Sequence, residues 1–329
     1  MTAHEISMIL ILLGSILMIL SILKFRPVIH KSKDILLKSN KKVAFLLLLH
    51  QILMVFFLIG YLTVGFCIYE EIQIVSIIFV GTIFLFGALF VLLGIYLQSE
   101  MLSSISLQTK NLTKINKQLL QTQDVTIFAL AYQAELRDQE TGRHIERTSQ
   151  YAKLLAEELC SLPKYKGYLT PQYISDLIKS APLHDIGKVG IPDSILKKPG
   201  KLTPEEFEII KNHCEYGTKV LIIADNKLTF QSFLKIAIQM AHSHHEKWNG
   251  KGYPRGLKND KIPLSGRIMA LIDVYDALRS ERCYKKGLPH DETCKIILEE
   301  RGEHFDPNIV DAFLNIASNF DEIFNSMAD

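Results

Sequence analysis

Three long stretches without a charged residue limit what this chain of 329 residues can fold into. They cover residues 6–23, 43–69 and 72–97. An apolar helix needs about 20 residues to cross the hydrocarbon core of a bilayer, whereas buried core helices are usually shorter. We therefore predict a membrane domain at residues 1–97, with three transmembrane helices close to these bounds.

Charges between the stretches predict how the chain is oriented. The connection between the second and third stretches carries only Glu70 and Glu71 as charged residues. The connection between the first and second is rich in basic residues, which are Lys24, Arg26, Lys31, Lys33, Lys38, Lys41 and Lys42. The positive-inside rule puts this basic loop in the cytoplasm. We expect a multi-pass protein of the cytoplasmic membrane, with its N-terminus outside and everything after Leu97 inside.

Residues 98–123 form a polar stretch without Gly or Pro, which predicts a helical linker. Ile105, Leu112 and Leu119 recur every seven residues, but the intervening seam positions Thr109, Asn116 and Gln123 are polar. Two interpretations stay open, namely a coiled coil that joins two copies into a homodimer and a single solvated helix. The outer loops are too short for a sensor domain, which leaves a membrane sensor or signalling protein as a candidate partner.

The remaining region, residues 124–329, has apolar residues at helical spacing and turns marked by Pro and Gly. This pattern predicts an all-α catalytic domain. The five cysteines contain no CxxC pair, which fits a reducing compartment. A formal net charge of +2 gives no bulk attraction for a nucleic-acid polymer.

Residues 181–192, APLHDIGKVGIP, hold the most informative short motif of this region. His184 and Asp185 are adjacent, and imidazole and carboxylate are both good ligands for borderline metal ions. Lys188 follows one helical turn later, where it could neutralise an anionic substrate. The His-Asp pair alone also fits an ordinary helix that ends before a glycine turn.

Four other segments supply more ligand types, and this repetition favours a metal centre. The predicted ligands are Glu140, His144, His184, Asp185, His213, His244, His245 and Asp273. Five imidazoles and three carboxylates are too many for one tetrahedral ion, but they suit two or three ions that share bridging carboxylates. Because no thiolate is included, iron or manganese is expected, with zinc as an alternative.

The motifs together resemble the HD-GYP family, a branch of the HD superfamily of metal-dependent phosphohydrolases. The resemblance rests on ETG at 140–142, HDIGK at 184–188, HHEKWNGKGYP at 244–254 and DVYDAL at 273–278. It covers about the last two hundred residues, and no predicted ligand position departs from the family pattern.

The resemblance implies hydrolysis of cyclic di-GMP, a bacterial second messenger, to pGpG and/or GMP. It implies that a metal-bridging hydroxide attacks the phosphorus, with His184, Asp185 and Lys188 as catalytic residues. The eight residues given above match the metal ligands, with Glu140 going with a third ion. Residues that match substrate contacts are Lys188, Tyr253, Pro254, Asp276, Arg282 and Lys285.

Several alternatives stay open from the residues. The chain could be a catalytically weak cyclic di-GMP receptor or scaffold, or a phosphodiesterase for a related cyclic dinucleotide. Asp276 could orient a metal ligand instead of touching substrate. Asp276 and Arg282 could also form a salt bridge within the domain.

Overall fold

The computed structural model describes residues 3–36, 41–70, 77–137, 142–281 and 286–327. This part of the chain is all-α, as predicted, and its one β-bridge joins Arg301 to Phe305. The helices are α1 (Ala3–Leu36), α2 (Lys41–Tyr69), α3 (Ile77–Glu135), α4 (Gly142–Leu159), α5 (Pro171–Ser180), α6 (Asp193–Leu196), α7 (Pro204–Asp225), α8 (Leu234–Ala241), α9 (Leu264–Arg279), α10 (His290–Glu299), α11 (Pro307–Asn315) and α12 (Ala317–Ser326).

The chain divides into two compact units, Met1–Lys117 and Gln118–Asp329. Three helices in the described part are long and apolar enough to cross a membrane, as judged by length and composition. Their candidate spans are Glu5–Phe25, Phe45–Tyr69 and Leu89–Glu135. In the first unit α1 packs against α2, and His50 of α2 stacks on Phe90 of α3 with 4.3 Å between ring centroids.

Two features of the helices differ from the sequence prediction. Helix α1 continues to Leu36, so the basic stretch after residue 23 is largely helical and not an open loop. The charges end the apolar run without ending the helix, because lysine and leucine are both good helix formers. Helix α3 begins at Ile77 in the described part and runs unbroken through 98–123 to Glu135.

The core of the second unit forms where α4, α9 and α12 meet. Tyr151 of α4 is fully buried, stacks on Phe320 with 4.3 Å between centroids, and meets Tyr275 of α9 edge-on. Burying each such aromatic side chain stabilises the fold by roughly 1.5–3 kcal/mol. Helix α9 carries Asp273 and Asp276, so this packing fixes two of the predicted site residues.

Helix α7, which carries His213, begins at a capping box. The Thr203 hydroxyl accepts a hydrogen bond from Glu206 N at 3.3 Å, and the Glu206 carboxylate accepts one from Thr203 N at 2.7 Å. Because this reciprocal pair satisfies two backbone donors, it sets the first residue of α7 from local sequence alone.

Candidate metal centre

The His-Asp motif lies at a bend between two short 3₁₀ turns. After α5 the chain turns at Ala181–Leu183 and again at Ile186–Gly190, which leaves His184 and Asp185 buried between them. A Cβ on Gly187 would lie 1.9 Å from the His213 carbonyl oxygen. Only glycine therefore lets this segment lie directly on α7, close to His213.

Four predicted ligands meet in one group, which we call the four-ligand cluster. Its members are Asp185, His213, His244 and His245, whose ligand atoms all lie within 4.8 Å of one another. Asp185 Oδ1 is 3.2 Å from His213 Nε2 and 3.3 Å from His244 Nε2. His213 Nδ1 donates to Ile210 O at 2.6 Å, and His244 Nδ1 donates to Met240 O at 3.1 Å. Since a carbonyl only accepts, Nδ1 carries a proton and Nε2 faces Asp185.

The charges in this cluster favour an anionic carboxylate beside imidazoles. Burial raises the pKa of Asp185, but Lys188 and His184 outweigh it and hold the pKa well below its usual value. Burial opposes the charge on His213, yet contact with Asp185 raises the pKa of its ring to about 9. Burial, aided by His244, lowers the pKa of His245, so that ring is neutral near pH 7. A bound cation would replace the proton on His213, so metal binding releases protons.

Three predicted ligands form a second group, which we call the three-ligand cluster. Its members are His144, His184 and Asp273. Asp273 Oδ1 is 3.9 Å from His144 Nε2 and 3.8 Å from His184 Nε2. His184 Nδ1 donates to Ala181 O at 2.8 Å, which turns its Nε2 toward Asp273. Of the three side chains, Asp273 is the most exposed at 19 %, so the cluster opens to solvent on that side.

His144 is held by a carboxylate on another helix. Its Nδ1 lies 2.8 Å from Asp276 Oδ2, and Arg147 holds both oxygens of Asp276 at 2.7 and 2.9 Å. Burial would raise the pKa of Asp276, but His144 and Arg147 outweigh it, so the pKa is lowered. With its side chain 1 % exposed, Asp276 faces the interior, which favours the orienting interpretation over a substrate contact.

Asp185 links the two clusters. Its Oδ1 faces His213 and His244 of the four-ligand cluster, while its Oδ2 lies 3.4 Å from His184 Nε2 of the three-ligand cluster. Each oxygen of Asp185 therefore faces one cluster, so this carboxylate could be shared by ions held in the two clusters. His184 Nε2 is also buried and makes no hydrogen bond to any residue that the structure describes, which points to a ligand role.

The donor set fits divalent ions that accept nitrogen and oxygen. Cys214 is the nearby sulfur, with Sγ 3.4 Å from His213 Nε2, but burial raises the pKa of this thiol. A thiol that stays protonated is a poor metal ligand. The two clusters therefore offer nitrogen and oxygen ligands to divalent ions, and iron, manganese or zinc stay predictions.

The loop that follows the adjacent histidines folds back over the site. Glu246 is buried, and its carboxylate accepts hydrogen bonds from Arg255 N at 2.8 Å and Leu257 N at 2.9 Å. A Cβ on Gly252 would lie 2.2 Å from Lys247 N, so this close return requires glycine. Tyr253 then stacks on His245 with 4.7 Å between ring centroids. Sequence reasoning missed the role of Glu246, whose signal was its place directly after His244 and His245.

The single tryptophan, Trp248, lies in the same loop. Its backbone N–H donates to His304 O at 2.9 Å, and the Arg267 guanidinium lies 5.7 Å from its ring centre. These contacts fix the loop between His245 and Tyr253 to the C-terminal part of the unit.

The structure brings together seven of the eight predicted ligands in the two clusters. Lys188 lies beside them, with Nζ 2.7 Å from Asp185 Oδ2. Glu140, Arg282 and Lys285 lie outside the described residues, so their roles stay predictions. Sequence reasoning gave no role to Glu135, whose carboxylate lies 4.0 Å from Lys188 Nζ at the end of α3.

A separate groove of about 770 Å³ lies elsewhere in the second unit. Phe128 of α3, Ile145 of α4 and Ile178 of α5 contribute to its mainly apolar wall. None of the predicted ligands lines this groove, so the candidate site is the pair of clusters.

Comparison with known proteins gives one family and several relatives. Residues 133–309 match a family described as HD domain. Two Vibrio cholerae proteins, named "Cyclic di-GMP phosphodiesterase" and "Probable cyclic di-GMP phosphodiesterase", are 51 % and 53 % identical over 71 % and 63 % of this chain. A third, named "3'3'-cGAMP-specific phosphodiesterase 2", is 39 % identical over 64 % of this chain. The matches cover 48 %, 47 % and 38 % of those relatives, so each contains much that this chain does not match.

Proposed function

This chain belongs to the HD-domain family, and we propose that it is a metal-dependent phosphodiesterase that hydrolyses cyclic di-GMP to pGpG and/or GMP. The observation that carries the proposal is the position of Asp185 between two ligand clusters, each with at least two other ligands. Two ions held side by side are a common solution for in-line attack on a phosphodiester.

Each residue has a task in this proposal. His213, His244 and His245 hold one ion with Asp185, and His144, His184 and Asp273 hold the other, with Glu140 proposed for a third. When bound, the ions lower the pKa of a coordinated water toward neutrality and withdraw charge from the phosphate oxygens.

Lys188 and Tyr253 support the substrate beside the ions. The Lys188 ammonium sits on the anionic edge of Asp185, where it can stabilise the negative charge that develops on a phosphate. Tyr253 covers the His245 ring and limits the access of water to it. Pro254, Arg282 and Lys285 stay proposed substrate contacts from the family resemblance.

The printed names of the relatives support the substrate class. Both proteins above 50 % identity are named for cyclic di-GMP, which makes it the first candidate. The third relative is named for 3'3'-cGAMP, so a hybrid cyclic dinucleotide is the second candidate. A receptor that binds without turnover is disfavoured, because no described ligand position carries a residue unable to bind metal.

A substrate comparison tests the proposal. The full chain, purified in detergent and loaded anaerobically with iron or manganese, should hydrolyse cyclic di-GMP faster than 3'3'-cGAMP. Product analysis by chromatography separates pGpG from GMP, and the Asp185→Ala variant serves as the control that should be inactive. Tight binding of cyclic di-GMP without any hydrolysis, at measured full metal content, would identify a receptor instead.

We propose the cytoplasmic face of the cytoplasmic membrane as the location of the second unit. The basic residues after the first span support this orientation. The linker helix carries three exposed apolar residues at heptad spacing, Ile105, Leu112 and Leu119, and these support a homodimer. We propose that a membrane sensor or signalling protein controls this dimer. A reporter fused after Asp329 should be active only in the cytoplasm, and activity on the outer side would refute the orientation.

A further inference from the structure

Arg137, just after the last turn of α3, holds the segment that carries Lys188. Its guanidinium donates hydrogen bonds to Val189 O and to Ile191 O, the second at 3.1 Å. It also contacts Asp193 Oδ1 at 2.5 Å. Three acceptors within five consecutive residues thus share one planar group with a fixed arrangement of donors.

The segment held by Arg137 also has hydrogen bonds of its own and packs on α7. Its own turn is closed by Lys188 N donating to Asp185 O at 2.9 Å and by Ile191 N donating to Lys188 O at 3.0 Å. Val189 is half exposed and so adds little packing. Val189 follows Lys188 directly and Ile191 lies three residues after it, so Arg137 holds the backbone of the turn that carries the Lys188 side chain.

The direction of the Lys188 side chain matters because its ammonium lies close to two carboxylates. Nζ lies 2.7 Å from Asp185 Oδ2 and 4.0 Å from Glu135 Oε2, and the side chain is 12 % exposed. Glu135 is only two residues before Arg137. The end of α3 therefore contacts the Lys188 ammonium through Glu135, while Arg137, just after it, contacts the carbonyl of the next residue, Val189.

The simpler explanation is an ion pair between Arg137 and Asp193 at the surface. Asp193 is 55 % exposed, and an ion pair this exposed usually adds little to stability. An ion pair would not need the two carbonyl contacts, which take up guanidinium nitrogens and reach toward the buried turn.

We propose that Arg137 is a positioning residue, which keeps Lys188 directed at the substrate phosphate by binding the carbonyls of Val189 and Ile191. The inference rests on the proposed function for the role of Lys188, but its structural part can be tested independently. Arg137 contacts none of the predicted metal ligands that the structure describes, so in this proposal it acts on the rate through Lys188.

Hydrogen exchange tests the structural part in the full chain. In Arg137→Gln the amides of residues 186–193 should exchange about tenfold faster, the factor expected for loss of a hydrogen bond to a charged group. In Asp193→Asn they should stay close to native, because both carbonyl contacts remain. Unchanged exchange in Arg137→Gln, or equal acceleration in both variants, would overturn the proposal.

A double-mutant cycle tests the functional part. Arg137→Gln should keep its metal content and lower kcat about tenfold to a hundredfold, since misplacing a group by about 1 Å costs up to about 10²-fold. In a Lys188→Ala background the same change should lower kcat less than about twofold. Equal losses in the two backgrounds would show that Arg137 acts without Lys188 and would overturn the proposal.

Arg301 supplies the matched control. It binds both oxygens of Asp311 at 2.7 Å on the exposed surface. Arg301→Gln should change neither the exchange of residues 186–193 nor kcat. If the native chain hydrolyses no cyclic dinucleotide, the proposed function fails, and the exchange measurement still decides whether Arg137 holds the segment.

Discussion

The four-ligand cluster and the three-ligand cluster hold their histidines by different kinds of contact. In the four-ligand cluster, His213 and His244 each donate Nδ1–H to a carbonyl three or four residues earlier in the chain. In the three-ligand cluster, His144 of α4 is held by Asp276 of α9, which Arg147 holds in turn. His184 of the three-ligand cluster is also held by a carbonyl three residues earlier, so the clusters differ in His144, which depends on a buried charge network between two helices.

This difference implies that the two clusters tolerate substitutions in their surroundings to different degrees. A carbonyl one turn earlier is present whenever the local turn forms, whatever side chains surround it. A carboxylate from another helix requires the packing of α4 on α9 and a paired buried charge. In return, an anionic partner makes the His144 ring a stronger donor to a metal than a carbonyl partner would. The variants below separate the two clusters.

Asp185→Asn should have the largest effect, because this residue faces both the four-ligand cluster and the three-ligand cluster. The amide keeps the shape but removes the anionic oxygens that face His213 and His184. We expect loss of metal content at both clusters and a fall in turnover of more than about 10³-fold, below detection for most assays. Elemental analysis and the cyclic di-GMP assay check this. Retention of one full ion would mean that the clusters do not share Asp185.

Asp276→Asn should damage the three-ligand cluster selectively. It removes the anionic partner of His144 and leaves Arg147 buried without its ion pair, which destabilises the fold by about 3–5 kcal/mol. Loss of such a supporting carboxylate typically costs about 10–100-fold in metal affinity or activity. We expect about one ion fewer per chain and a lower Tm. Equal loss of metal from both clusters would show that they do not differ as described.

Lys188→Ala should lower the rate while leaving both clusters loaded. The ammonium offsets charge on Asp185 and the proposed phosphate, but it is not a ligand, so metal content should stay native. We expect a fall in kcat of about tenfold to a hundredfold. Metal loss equal to that of Asp185→Asn would place Lys188 in the structure of the centre and contradict its separate role.

Glu140→Gln should have the smallest effect, on a third ion beside the three-ligand cluster. Glu140 precedes His144 by four residues, the spacing at which two side chains share a helix face. We expect metal content to fall by about one ion and activity to weaken without unfolding. If this variant kept its full metal content and full rate, Glu140 would not hold a third ion, and the centre would be binuclear.

The sequence predicted the four-ligand cluster well because its signals are local. The His184-Asp185 pair, the adjacent His244 and His245 and the capping box before His213 can each be read within a few residues. Gly187 lets the His184-Asp185 pair lie on α7. A glycine two residues after a ligand pair is a sign of close packing that can be read from the sequence.

The supports of the three-ligand cluster were harder to predict because they depend on tertiary contacts. Asp276 and Arg147 are separated by 129 residues in the chain, so nothing local pairs them. The sequence instead paired Asp276 with Arg282 as one alternative. Arg137 and Glu135 were missed for the same reason, since α3 meets the His-Asp turn only in the folded unit. The first apolar run marks the candidate span Glu5–Phe25 but not the end of α1, because the run stops before the helix does.

Trp248 gives this protein an optical signal of its own. It is the one tryptophan in 329 residues. It lies three positions after His245, in the loop that folds back and stacks Tyr253 on the His245 ring. Fluorescence excited selectively at tryptophan therefore originates entirely beside the candidate centre. Titrating metal or nucleotide into the unlabelled full chain would report on this loop alone, with no signal from the three apolar helices.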